Sequence, residues 1–163
     1  MLDWKWPICV FALVGLVGLG ARQAIGHVYS SGQAVDLLQS LSQSGLYLGS
    51  ATATASATTL ALMLTLVGMV RRSDEDFNAE IYRGIQRIAT LSTASLVASL
   101  LLLLVLVFPV SEFDGIPAPW YPTLYQVLFG GTILVVALLA ATVALVYRTV
   151  RHVIARVTPG EDA

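Results

Sequence analysis

Residues 88–110, IATLSTASLVASLLLLLVLVFPV, contain no Asp, Glu, Lys or Arg. A helix needs about 20 mostly apolar residues to cross the hydrocarbon core of a bilayer, so this stretch is long enough to span one. It does not stand alone. Residues 115–147 also carry no formal charge, and two further apolar runs lie nearer the N-terminus. Four spans are predicted, at about residues 7–26, 46–70, 88–110 and 121–147. The expected fold class is an all-α integral membrane protein, an up-down bundle of four transmembrane helices. Residues 1–163 form one four-span domain in this reading.

Composition agrees with that reading. Of the 163 residues, 56% are hydrophobic and 12% charged, and the mean hydropathy is +0.78. A soluble domain carries about 25% charged residues and could not hide so much apolar surface. The ends of the spans hold aromatic residues suited to headgroup level: Trp4 and Trp6 before the first, Tyr29 and Tyr47 around the first loop, and Trp120, Tyr121 and Tyr125 opening the fourth. The first span must be weighed against a signal peptide. Asp3 weakens a positive n-region, and Leu19 or Arg22 would occupy the minus-three position of a cleavage site, so a span is expected.

Basic residues set the orientation. Lys5, Arg71, Arg72, Arg83, Arg87, Arg148, Arg151 and Arg156 fall on one side of this topology, and only Arg22 falls towards the other. The positive-inside rule then predicts a multi-pass protein of the plasma (cytoplasmic) membrane with both termini in the cytoplasm.

Two helices are expected to overshoot the bilayer. Ser73 and Asp76 have N-cap and N3 spacing, and Phe77, Ile81, Ile85 and Ile88 follow at helical intervals, so the third helix should begin near Asp74. Val150, Val153, Ile154 and Val157 extend the apolar stripe of the fourth until Pro159 and Gly160. Glu80 and Asp76 could then pair with Arg151 and Arg156. A solvated stalk is the plain interpretation of these ends and a docking surface for a protein partner the sharper one. On the other side, residues 33–43 read as an outer amphipathic segment lying on the membrane surface, with Val35, Leu38 and Leu41 inward.

The second span is the unusual one, since residues 49–59 contain only Gly, Ala, Ser and Thr. Gly45, Gly49, Ala53, Ala57 and Ala61 form a four-residue ladder that permits close helix packing. Ser50, Thr54 and Thr58 form a second beside it. Ser92, Ser95 and Ser99 make a serine face on the third span, expected to pack on the second. Gly130 and Gly131 are places where the fourth helix can bend. Hydroxyls in such spans ordinarily bond back to their own helix; the functional alternative is that Thr52, Ser56 and Thr59 line a wet path. Arg22 is the one formal charge expected within a span, which makes it a site hypothesis by default. Arg22, Gln23, Ser50 and Gln126 lie at similar shallow depth and would form an outward polar pocket, with Asp36 or Asp114 as counter-charge. Snorkelling of Arg22 to the interface is the plainer explanation.

Catalysis finds no support, and no enzyme is expected. His27 and His152 fall on opposite sides, Cys9 has no nearby base, and no carboxylates pair at membrane depth. A single cysteine provides neither a disulfide nor a thiol metal cage. No cofactor, metal or nucleic-acid partner is predicted; the expected partners are the lipid bilayer, further copies of the chain, and a protein at the cytoplasmic helix ends. Two functions fit: a homo-oligomeric channel or pore with a hydroxyl-lined second span, or an accessory or scaffold subunit that binds a protein or lipid through its small-residue faces.

Overall fold

The computed structural model describes residues 5–25, 31–72, 79–107 and 120–157. Among the described residues the chain is entirely helical: α1 (Lys5–Ile25), α2 (Ser31–Arg72), α3 (Ala79–Val107) and α4 (Trp120–Val157). Each contains a stretch long and apolar enough to cross a bilayer, namely Lys5–Gln23, Leu37–Gly68, Tyr82–Val107 and Pro122–Arg151. This is the architecture of a multi-pass membrane protein. Pro7 and Pro122 each stand third in their helix, in a first turn whose N–H groups lack intrahelical partners anyway.

Side chains are distributed inside-out relative to a protein folded in water. The largest fully buried side chains are Ile88, Thr52, Thr142 and the serines 56, 92, 95 and 99. Large apolar residues point outward instead: Leu16 is 70% exposed, Leu64 74% and Val107 68%. In water this would leave the hydrophobic effect unused. In hydrocarbon the outer Leu and Val meet lipid, and helices gain by approaching closely over small residues.

Three helices share a seam. Along α3 the buried positions beyond Gly84 are Ile85, Ile88, Ser92, Ser95, Ser99, Leu102 and Leu106, alternating steps of three and four. Along α2 they are Leu38, Gly45, Gly49, Thr52, Ser56 and Met63. A 3.5-residue repeat keeps one face against a neighbour along the whole helix, the left-handed packing found in most bundles. A Cβ built on Gly45 would meet Leu106, one on Gly49 would meet Leu103, and Ser56 touches Ser95, so α2 and α3 run antiparallel. Gly84 faces Thr149 and Gly131 faces Leu102, which makes α3 and α4 antiparallel as well. α1 packs on α4, with Gly18 against Ile133.

The seam is layered. At one end Leu38, Leu102, Leu106, Tyr125, Leu128 and Val135 form an apolar cluster, with the Tyr125 and Phe129 rings stacked at 5.8 Å. At the other, Met63, Ile85, Ile88 and Leu145 form a second. Hydroxyl-bearing residues fill the middle.

One expectation changes. Residues 33–43 are not a separate surface segment: they are early turns of α2, a helix of 42 residues and about 63 Å at ~1.5 Å per residue. The cause is register. Leu38 is buried in the same stripe as Gly45 and Gly49, so these turns gain more by continuing along the bundle than by lying flat. Gly45 interrupts nothing, because it is buried where close approach needs it. Gly130 and Gly131 both lie within α4, and Gly131 gives room to Leu102. α4 runs ten residues past Tyr147, as predicted. The expected cap at Ser73 and Asp76, and the side chains of Asp36, Glu80, Asp114 and Arg156, lie outside the described residues.

Candidate functional site

Among the described residues the best-developed polar region is the seam's middle. Thr52, Ser56, Ser92, Ser95, Ser99 and Thr142 are all buried there, none more than 1% exposed. The Ser56 hydroxyl donates to Ser95 Oγ across the α2–α3 interface at 3.1 Å. Thr52 donates to the Leu48 carbonyl and Thr142 to the Leu138 carbonyl, both at 2.8 Å. Ser99 donates to the Ser95 carbonyl at 2.7 Å and lies 3.0 Å from that of Leu96. Bonding back to the residue four earlier is how Ser and Thr satisfy themselves within a helix. Apart from Ser92, these groups act as compact, paired fillers that let three backbones come together.

Thr59, half-buried, donates to the Ala55 carbonyl. Of the three residues expected along a wet path, Thr52 and Ser56 are therefore enclosed within one subunit, between α2 and its neighbours. The serine face on α3 does pack on α2 as expected, through Ser56 and Ser95.

The ladder at Gly45, Gly49, Ala53, Ala57 and Ala61 divides. Gly45 and Gly49 are buried, Ala53 is half-buried, and Ala57 and Ala61 are exposed. Steps of four overshoot a 3.6-residue turn by about 40° each, so a four-residue ladder winds off the face on which it began. The result is a second surface. Ser50, Ala51, Thr54, Ala57, Thr58, Ala61, Thr65 and Gly68 are all exposed on α2. Their threonines need no water: Thr54, Thr58 and Thr65 donate to the carbonyls of Ser50, Thr54 and Ala61 at 2.9, 2.8 and 3.0 Å.

Arg22, Gln23, Ser50 and Gln126 are all exposed, and no enclosure forms around any of them among the described residues. Arg22 stands in the last turn of α1, where a cation is favoured by the helix dipole and reaches the interface by snorkelling. α1 packs on α4 whereas Ser50 is on α2, which packs on α3 and α4. Cys9 is exposed on α1. Among the described residues no three His, Cys, Asp or Glu side chains are grouped to hold a metal.

Two contacts escape a reading of residue types alone. The Ser42 hydroxyl donates to the Leu106 carbonyl at 3.2 Å, a bond from α2 to α3. Thr142 joins the seam from a run of alanines and leucines. No sequence signal marks the first; the period-seven spacing of Leu128, Val135 and Thr142 marks the second. Compared with known protein families, curated proteins and solved structures, the chain matches none.

Proposed function

We propose that this protein is a non-enzymatic membrane scaffold that assembles through the outward small-residue face of α2. The observation that carries the proposal is the division of that helix into two unlike faces. The inner face seals the subunit. The outer one, from Ser50 to Ala61, is built of small side chains with the Thr54 and Thr58 hydroxyls already paired, before the exposed Leu62, Leu64 and Leu66. Lipid chains gain little dispersion contact on such a surface, whereas another helix can approach closely along it.

In this reading the four helices run up and down in the plasma membrane with both termini cytoplasmic, as the basic residues favour. The first turns of α3 and the last turns of α4, which meet where Gly84 lies against Thr149, then stand on the cytoplasmic side and offer Arg83, Arg87, Arg148 and Arg151 to a protein partner. Repetition of one chain about an axis is the commonest way such a face is used.

A pore is the second reading, and one observation shapes it. Thr52 and Ser56 are enclosed in the subunit, so a channel formed by several copies would be lined by Ser50, Thr54 and Thr58. The hydroxyl protons of Thr54 and Thr58 point back along the helix, leaving oxygen lone pairs to face a permeating species.

The experiment is the particle mass in native-lipid discs, with and without Ala57→Leu and Ala61→Leu together. Scaffold assembly predicts a multiple of 17.4 kDa that falls to a single chain in the variant. A wild-type single chain carrying no other protein contradicts it. Ion flux in liposomes that is abolished by Thr54→Leu would select the pore.

A further inference from the structure

One layer of the seam departs from the rest. Ser92 is fully buried, and its Oγ is the one buried side-chain nitrogen or oxygen among the described residues with no hydrogen-bond partner. A buried hydroxyl left in that state carries its whole desolvation penalty, and a bilayer offers no solvent to relieve it. The pairs Ser56–Ser95 and Gly49–Leu103 set a register that puts Thr59 of α2 level with Ser92. The pairs Gly84–Thr149 and Gly131–Leu102 put Ala141 of α4 at the same level, with Thr142 beside it. Thr59 and Thr142 have each donated their proton to a carbonyl of their own helix at 2.8 Å. Each keeps oxygen lone pairs as acceptors. The layer thus combines one donor lacking an acceptor, two hydroxyl oxygens able to accept, and the small side chain of Ala141.

We propose that this layer is a hydration site holding a single water molecule near mid-bilayer. The water accepts the Ser92 proton and donates to the hydroxyl oxygens of Thr59 and Thr142, tying α2, α3 and α4 at one point. A buried water requires a polar site with two to four partners, and these three residues supply three. The proposal is independent of how the outer face of α2 is used.

The test is solid-state NMR of the labelled protein in lipid bilayers, reading cross-peaks from bound water to Ser92 Hβ and to the methyls of Thr59 and Thr142. A water cross-peak at all three is expected in wild type. Ser92→Ala should cut it at both threonine methyls by about fivefold, the weight of one ordinary hydrogen bond. Thr142→Val should do the same at Ser92 Hβ, which keeps the test available should Ser92→Ala misfold. A dry layer in wild type, with the hydroxyl turned back onto its own helix, overturns the proposal. So does a water signal at the threonines that survives Ser92→Ala unchanged.

Discussion

Replacing Gly18 with alanine would place one carbon in the contact between α1 and α4. The new Cβ would lie 2.6, 2.7 and 2.8 Å from Cγ1, Cγ2 and Cδ1 of Ile133. Ordinary contacts begin near 3.4 Å, so the shortfall is about 0.8 Å and comes from both branches of the side chain. A β-branched isoleucine in a helix has essentially one χ1 rotamer, hence rotation of Ile133 gives no escape and the helices must separate. Overpacking of this kind costs about 1–3 kcal/mol. Replacing a helical glycine returns roughly 0.5–1 kcal/mol. The net expectation is a loss of about 0–2.5 kcal/mol, centred near 1. Gly15 and Gly20 are controls on the same helix, since a Cβ at either meets nothing within 4 Å. Their alanine variants should be neutral or gain about 0.5 kcal/mol. Reversible unfolding of the three variants in mixed detergent micelles measures the differences. A Gly18→Ala protein as stable as Gly15→Ala would refute the α1–α4 packing.

Other substitutions probe the remaining contacts. A double-mutant cycle on Ser56→Ala and Ser95→Ala should return a coupling of about 0.6 kcal/mol and no more than roughly 1.7, the range for hydrogen bonds between membrane helices; zero coupling would mean the two hydroxyls do not meet. Ser42→Ala leaves the Leu106 carbonyl without its donor and should cost about 0.5–1.5 kcal/mol, with faster hydrogen exchange confined to the last turn of α3. Gly49→Leu drives a side chain into Leu103 and should cost about 1–3 kcal/mol or more, while Gly68→Leu, with open space around its Cβ, should leave the unfolding midpoint unchanged. Equal effects from those two would deny the closeness of α2 to α3.

The spans were legible because charge is costly in hydrocarbon, so its absence from residues 88–111 and 115–147 marks them without reference to any partner. The continuation of α4 past Tyr147 was legible for a related reason: the apolar stripe simply runs on through Val150 and Val153. Which face of α2 packs inward was not. Residues 49–59 are small on every side, and a stripe of small residues looks alike whether its repeat is 3.5 or 4. Only the neighbours decide, through Leu103 and Leu106 beside Gly49 and Gly45. That choice put Thr52 and Ser56 inside and left Thr54 and Thr58 outside. Residues 33–43 misled similarly, because an amphipathic helix has the same pattern whether its apolar side meets a membrane surface or the end of a bundle. Leu38 among Leu102, Leu106 and Tyr125 is the difference.

The proposed scaffold would separate stability from assembly, since α3 and α4 pack on the inner face of α2 and its outer face is left exposed. Substitutions from Ser50 to Ala61 on the outer side should alter association and leave unfolding of the single chain nearly untouched. The test that bears most directly on the outer face is disulfide trapping in native membranes, starting from a Cys9→Ser background. Thr54→Cys, Ala57→Cys and Ala61→Cys are compared with Leu16→Cys on the exposed side of α1. Assembly through α2 predicts oxidised dimers at the α2 positions, strongest at Ala57, and few at Leu16. Dimers that form equally at Leu16, or at none of the α2 positions, would contradict it.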